Sequence, residues 1–238
     1  MKLADPNRKL STTESISLIE HCAQLGEQNA DDANNKEVVL VLGNTGTGKS
    51  TLLNCLLGCE MKLVKPSELN LTGAKKVVIA DHESTRAGIM PIGHEDSKTF
   101  MPQIAPDPDN LDKAYCGCPG FLNTRGEEIN IADSLNINRV LQQATGVKAV
   151  FLTSYHGFFT DRGSNARAME EMCHQMFGGI DNLRRHQNAV LLGITKAPLY
   201  EDDEPVTRNM VRSLLTKTHT PTIQLLANRI FLYETHWI

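Results

Sequence analysis

The chain has 238 residues, of which 40% are hydrophobic and 22% charged, and its formal net charge is -4. This composition is that of a globular chain and not of a disordered one, and the net acidity argues against a basic nucleic-acid-binding surface. The N-terminal segment lacks the apolar core of a secretory signal, and no apolar run approaches the roughly 20 residues that cross a bilayer. We therefore expect a soluble cytoplasmic protein without a transmembrane segment, and contact with a membrane surface stays open.

The first helix is predicted by a capping pattern. Ser11 and Glu14 have the spacing of a capping box, so we expect a helix over 11–25. The polar stretch GEQNADDANNKE that follows is typical of a loop. The expected organisation is an N-terminal helix and linker over 1–36, followed by one larger domain over 37–238. The last predicted strand lies close to the end of the sequence, which also fits a piece of a longer protein.

Beyond the linker, segments with strand character alternate with segments with helix character. Short apolar runs predict strands at 38–43, 76–80, 115–118, 147–153, 189–195 and 227–233. Helices are predicted at 49–57, 131–144, 166–177 and 202–216. The segment 92–110 is rich in Pro, Gly, Asp and His and predicts a loop. This alternation predicts an α/β fold, a three-layer sandwich with a mostly parallel central sheet and helices on both faces.

The strongest motif is GNTGTGKST, which matches G-x-x-x-x-G-K-[ST] between a predicted strand and a predicted helix. Gly46 and Gly48 allow the backbone to wrap around phosphates, and the amides at the helix N-terminus attract an anion. Lys49 would bridge the β- and γ-phosphates, and Ser50 would ligate Mg²⁺. The motif predicts a P-loop NTPase sandwich whose nucleotide-binding residues are Gly43, Asn44, Thr45, Gly46, Thr47, Gly48, Lys49, Ser50 and Thr51.

A second motif, CPGFLNTRG, begins at the end of the third predicted strand. With both motifs the chain resembles the translation-factor-related class of P-loop GTPases, within it the branch of septins and immunity-associated GTPases, over about residues 38–233. The resemblance implies GTP or GDP and Mg²⁺ as cofactors, and Gly120 as the glycine whose amide meets the γ-phosphate. Gly117 stands where the class carries an aspartate beside the metal, which implies weak Mg²⁺ binding and slow hydrolysis.

In the septin-like branch a switch-I threonine can position the attacking water. Thr99 is the best match for that threonine, Thr85 and Ser84 are alternatives, and an ordinary loop role for Thr99 is an equal possibility. On this interpretation the catalytic residues are Lys49, Thr99 and Gly120, and the metal ligands are Ser50 and Thr99.

The base-reading motif [NT]-K-x-D has a counterpart after the fifth predicted strand. Thr195 and Lys196 match it, and Lys196 would lay its aliphatic stem over the purine ring. Pro198 stands where the family carries the aspartate that accepts hydrogen bonds from guanine. The preference for guanine is therefore implied by the resemblance alone.

The resemblance also implies a protein that changes shape with its nucleotide. The segments 92–109 and 121–128 would order around the γ-phosphate. The face that carries His156 and Arg162 would meet a second copy across the nucleotide, giving a homodimer in which a partner residue acts in trans, and an ordinary loop role at a helix start is the alternative for both residues.

Three alternatives to a slow GTPase stay open. The chain could be a nucleotide-binding scaffold without useful hydrolysis, because Gly117 stands in place of the aspartate beside the metal. It could hydrolyse nucleotides with relaxed base choice, as Pro198 suggests. It could also be a relic of the fold that binds no nucleotide, against which the intact pair of Lys49 and Ser50 argues.

Overall fold

The structure, a computed structural model, describes residues 11–72, 77–81, 90, 92, 101–120, 127–159, 164–218 and 220–233. The strands are β1 (Glu37–Gly43), β2 (Met61–Val64), β3 (Val77–Ala80), β4 (Gln103–Asp107), β5 (Asn110–Gly117), β6 (Gly146–Ser154), β7 (Val190–Thr195), β8 (Tyr200–Glu201), β9 (Glu204–Pro205) and β10 (Ile230–Tyr233). The helices are α1 (Thr12–Ala30), α2 (Lys49–Leu56), α3 (Glu127–Gln143), α4 (Tyr155–Phe159), α5 (Ser164–Phe177), α6 (Ile180–Arg185), α7 (Arg208–Thr216) and α8 (Pro221–Leu226).

The central sheet of the described chain has six strands in the order β10-β7-β6-β1-β5-β4. Neighbouring strands are parallel except β4, which pairs antiparallel with β5 at one edge. β1 lies inside the sheet, where Val41 aligns with Gly117 on one side and with Val150 on the other. Because the chain visits β5 on one side of β1 and then β6 on the other, the carboxyl end of β1 lies at a topological switch point. Ligands of open α/β sheets bind at such points.

Both faces of the sheet are covered by helices, which confirms the expected α/β sandwich. On one face Leu40 and Leu42 of β1 belong to a buried cluster that includes Met172 of α5. On the other face Val41 packs in a separate cluster with Leu53 of α2. Alternate residues of β1 therefore point into opposite cores, as a strand buried on both faces requires.

Part of the segment that was expected to be a loop is an edge strand. β4 pairs with β5 from Gln103 opposite Gly117 to Asp107 opposite Asn110, so the prediction of a loop over 92–110 is wrong for these residues. Pro106 lies within β4, and proline is tolerated there because an edge strand has a side that needs no ladder donor. Because proline is unfavourable in most strands, its presence led to the wrong prediction of a loop here.

Two further elements differ from the prediction. The strand expected at 76–80 exists as β3, but it pairs antiparallel with β2 in a separate two-stranded sheet. The helix expected at 202–216 begins only at Arg208, after the small hairpin of β8 and β9. Thr207 caps that helix, since its hydroxyl accepts a hydrogen bond from the Met210 amide.

The N-terminal helix has the predicted capping box at Ser11 but continues through Ala30, so the loop prediction is wrong for residues 26–30. Gly26 packs directly against Asn136 of α3, and Ala30 and Ala33 are buried in the core. Contact with α3 therefore overrides the polar composition of the segment. Among the described helices, none is long and apolar enough to cross a membrane.

Candidate functional site

The loop between β1 and α2 has the backbone geometry of an anion cradle. Gly43, Gly46 and Gly48 have φ values of 144°, 81° and 87°, which favour glycine. The Thr47 hydroxyl donates a hydrogen bond of 2.8 Å to the Asn44 carbonyl and closes the turn. The loop thus opens on the N-terminus of α2 at the switch point of the sheet, where backbone amides attract a phosphate.

Lys49, the first residue of α2, is folded back over the loop. Its Nζ atom donates hydrogen bonds to the carbonyl oxygens of Gly43 at 2.7 Å and of Asn44 at 2.9 Å. Burial lowers the pKa of Lys49 from its ordinary 10.5 to about 8, and nearby Cys118 opposes that shift. Ser50 and Thr51 follow in the same turn and are half-buried. An anion in the loop would stabilise the charged ammonium that burial disfavours.

Gly120 lies against the phosphate loop. A Cβ atom on Gly120 would lie 2.4 Å from Oγ1 and 2.9 Å from the amide nitrogen of Thr45. The stretch before Gly120 is anchored in the sheet, since the Cys118 amide donates a hydrogen bond of 3.1 Å to the Val41 carbonyl. Two predicted site residues that are 75 positions apart, Thr45 and Gly120, are therefore in direct contact, and only glycine fits between the two segments.

Gly117 faces an apolar neighbourhood. A Cβ atom there would lie 2.7 Å from Cδ1 of Leu53 and 3.7 Å from the sulfur of Met90. Leu53 and Met90 are both buried, at 1% and 4% exposure. The space next to Gly117 is thus filled by hydrocarbon and thioether groups.

Asn54 holds Met90 in that place and was missed by the sequence reasoning. Its side-chain amide donates a hydrogen bond of 2.9 Å to the Met90 carbonyl and accepts one of 2.6 Å from the Met90 amide. Asn54 is fully buried on α2. A polar residue within the apolar run LLNCLL was the available signal, because a buried amide needs partners.

The base-reading motif is tied to the phosphate loop. The Thr195 hydroxyl lies 2.8 Å from the Thr47 carbonyl, to which it donates, and 3.3 Å from the Thr153 carbonyl. Lys196 follows at the end of β7 with a φ of 55° and is exposed to solvent. The pair Thr195 and Lys196 therefore lies at the same edge of the sheet as the phosphate loop.

Acidic residues follow Pro198 in the hairpin of β8 and β9. Glu201 accepts a hydrogen bond of 2.5 Å from the hydroxyl of buried Tyr155, and burial together with this bond raises the pKa of Tyr155. Asp202 and Asp203 form the exposed tip of the hairpin with φ values of 49° and 64°. Glu201 is thus engaged in the core, whereas Asp202, Asp203 and Glu204 face solvent beyond Pro198.

Of the remaining residues predicted from the sequence, one is described by the structure and four are not. His156 is exposed in α4, with its ring edge-on to that of Tyr155 at 5.6 Å between centroids. The catalytic and metal-ligand prediction for Thr99 lies outside the described residues, as do the predictions for Thr85, Ser84 and Arg162.

Comparison with solved structures found chains that are similar to this one. A chain of the signal recognition particle receptor SRb-GTP/SRX complex from Chaetomium thermophilum aligns over 84% of this chain and 89% of its own length, with 12% identity and a TM-score of 0.39. No protein-family model and no curated protein matches the sequence. The P-loop NTPase type of α/β sandwich is recognised from the chain itself, by its strand order and by the phosphate loop between β1 and α2.

Proposed function

We propose that this protein binds a nucleoside triphosphate at the loop Gly43–Thr51, with GTP or GDP as the implied cofactor, and hydrolyses it slowly. The observation that carries the proposal is the preformed loop, in which Lys49 lies over an anion cradle at the switch point of the sheet. A phosphate would replace the two carbonyl oxygens as the partner of the Lys49 ammonium. Gly120 lies against Thr45 in the loop, which supports the proposal that its amide meets the terminal phosphate.

The residues present fit a magnesium ion in part. Ser50 offers a hydroxyl in the first turn of α2, as the motif requires. Gly117 offers no carboxylate, and Leu53 and Met90 fill the space beside it. A magnesium ion here would neutralise phosphate charge while held by Ser50 and by the nucleotide itself. Weak metal dependence and slow turnover are the consequences that we propose.

Base choice is proposed to be weak. Lys196 follows Thr195, which bonds the phosphate loop, and its alkyl stem would serve any purine. A site rejects the wrong base strongly only where it hydrogen-bonds the right one, and Pro198 provides no acceptor side chain. We therefore expect ATP to bind within about tenfold of GTP, a difference of about 1.4 kcal/mol.

A calorimetric titration of GTP, GDP and ATP, each with and without Mg²⁺, tests the proposal. Hydrogen bonds to charged groups contribute about 1.5–3 kcal/mol, so Lys49→Ala is expected to weaken binding at least about tenfold. Lys217→Ala removes an exposed lysine at the end of α7 and is the matched control. Absence of binding by the folded wild-type protein to all three nucleotides would reject the proposal.

A nucleotide-binding scaffold without useful hydrolysis is the second candidate, and the packing at Gly117 favours it. Phosphate release by wild type and by Lys49→Ala separates the two. Turnover that Lys49→Ala abolishes supports the slow enzyme, and identical background release supports the scaffold. Dimerisation across the nucleotide face is a further proposal from the family resemblance, and sedimentation with each nucleotide tests it.

A further inference from the structure

The exposed surface of α7 carries a ridge of two arginines, Arg208 and Arg212. They are four positions apart on the helix and are therefore neighbours on its surface, whereas Val211 and Leu215 of the same helix are fully buried. Within the described part of the chain, no hydrogen bond or ion pair engages either guanidinium group. We propose that this arginine ridge docks on the acidic hairpin of a second copy of the chain and so forms a two-fold dimer. The proposal goes beyond nucleotide binding and does not depend on it.

The arginine ridge is unfavourable for α7 by itself. Arg208 lies in the first turn, where the helix dipole favours an anion, and that turn has no acidic residue. Arg208 and Arg212 also repel each other, because like charges four positions apart destabilise a helix. A local arrangement that costs stability, with no described partner to offset it, indicates a contact with another molecule.

The hairpin of β8 and β9 offers the complementary charge next to the ridge. Its acidic tip consists of Asp202, Asp203 and Glu204, which are exposed and form no ion pair with a described cation. Glu204 is four positions before Arg208, so the backbone between them spans at most about 14 Å. A two-fold axis would place the acidic tip of each copy on the arginine ridge of the other and form both contacts at once.

Exposed apolar side chains at the base of the hairpin extend this surface. Tyr200 is 65% exposed and Leu199 is 49% exposed. Tyr200 pairs with Pro205 across the hairpin, so these two side chains share one face. Glu201 points the opposite way and is bonded to Tyr155, which anchors the hairpin on the core. An aromatic side chain on a fixed hairpin, beside charges, is the composition of a protein interface, in which exposed ion pairs alone contribute little.

An anionic lipid surface is the other partner that guanidinium groups recognise. The acidic tip argues against it, because three carboxylates so close to the ridge would be repelled by an anionic surface. Lipid-binding clusters also have about four to eight cations, whereas this ridge has two. A second copy satisfies the cations and the carboxylates together, and the charges therefore favour the dimer.

Sedimentation velocity of the nucleotide-free full chain tests the proposal. We expect a reversible dimer at about 0.1 M salt that weakens at about 1 M salt, because the Debye length falls from about 10 Å to about 3 Å. Arg208→Glu/Arg212→Glu places like charges opposite each other and is expected to raise the dimer dissociation constant at least about tenfold. Lys217→Glu is the matched control, since Lys217 is exposed and follows Arg208 by about two and a half turns, on the other side of the helix.

An exchange of charges makes the test specific. Asp202→Asn/Asp203→Asn/Glu204→Lys reverses the charge of the acidic tip, and asparagine is chosen because both aspartates have positive φ. This variant and Arg208→Glu/Arg212→Glu should each be monomeric alone. Their mixture should recover a heterodimer, because one of its two contacts is native and the other is reversed on both sides. If a multiple variant does not fold, Arg212→Glu mixed with Glu204→Lys takes its place.

Three results would overturn the proposal: a wild type that is monomeric at every concentration, a dimer that the charge reversals leave unchanged, and a mixture of folded variants that forms no heterodimer. Binding of a monomeric wild type to vesicles that contain phosphatidylserine, lost in Arg208→Glu/Arg212→Glu, would assign the ridge to a lipid surface instead. Because no nucleotide is present, the outcome is independent of the nucleotide titration and of a dimer across the nucleotide face.

Discussion

The hydroxyl of Thr195 donates a hydrogen bond of 2.8 Å to the carbonyl oxygen of Thr47, which joins the end of β7 to the phosphate loop across 148 positions of sequence. Thr195 is 1% exposed and Thr47 is 6% exposed. The bond therefore lies in a dry environment, where an acceptor that loses its partner is not rescued by water. It links the region that would read the base to the region that would hold the phosphates.

Replacing Thr195 by valine keeps the shape of the side chain and removes the donor. Leaving a buried acceptor without its partner costs about 1–3 kcal/mol, so we expect the free energy of unfolding of Thr195→Val to fall by that amount in a urea titration. Thr195→Ser keeps the hydroxyl and is the control, with a smaller loss from one methyl group. A valine variant that is no less stable than the serine variant would show that this bond is not needed to hold the loop.

Gly117 is expected to resist conversion to aspartate. The new side chain would meet Leu53 at 2.7 Å from its first carbon and would place a carboxylate beside Met90. Overpacking costs about 1–3 kcal/mol, and an unpaired buried charge adds to it. We expect Gly117→Asp to lower the midpoint of urea unfolding strongly.

Leu53→Ala offers the matched second change. Alone it removes a buried leucine side chain, which costs about 2–5 kcal/mol. Combined with Gly117→Asp it leaves room for the carboxylate, so the double variant should be more stable than the sum of the single effects predicts, by about 0.5–3 kcal/mol. Strict additivity would mean that Leu53 is not what excludes a side chain at Gly117.

The close approach of α1 and α3 gives a further prediction. A Cβ atom on Gly26 would lie 2.0 Å from Oδ1 of Asn136, which is 1% exposed. Gly26→Ala should therefore destabilise the protein by about 1–3 kcal/mol through overpacking, although alanine gains about 0.5–1 kcal/mol in a helix interior. Thermal unfolding measures the change, and Gln24→Ala on the exposed side of α1 should stay within about 0.5 kcal/mol of wild type. A stabilised Gly26→Ala variant would contradict the described packing of the two helices.

The sequence predicted correctly those parts of the fold in which the local residue pattern matches the burial and backbone conformation that the structure requires. β1 is buried on both faces and reads as a continuous apolar run, and the glycines of the phosphate loop mark backbone that requires positive φ. β4 escaped prediction because Pro106 is acceptable only at an edge, and a single sequence does not reveal which strand is an edge.

At the candidate site the motif predicted the strand–loop–helix geometry around Lys49, and the roles assigned to Lys49 and Gly120 stay predictions. The packing around Gly117 was not predictable, because it depends on Leu53 and Met90, which come together only in the fold. From the sequence alone, Gly117 was interpreted only through the family resemblance, as standing at a position where an aspartate beside the metal is expected. Beside Leu53, Gly117 is the residue that allows α2 and β5 to approach closely, so its small size has a packing cause.

The pKa of Lys49 predicts how nucleotide affinity depends on pH. Burial lowers that pKa to about 8 in the free protein, so above pH 8 the amine is mostly neutral. Phosphate binds the charged form and raises the pKa, hence binding takes up a proton, and the affinity must fall as pH rises through 8. We expect the dissociation constant for the triphosphate to be about tenfold higher at pH 9 than at pH 7.

Calorimetry between pH 7 and pH 9.5, in two buffers of different ionisation enthalpy, measures both the affinity and the proton uptake. Lys49→Arg is the matched control, because a guanidinium stays charged over this range and its binding, although weaker, should not vary with the Lys49 titration. Near pH 8.5 the wild type should take up most of one proton for each nucleotide and the arginine variant none. An equal pH dependence in both proteins would assign the titration to another group and remove Lys49 from the phosphate contact.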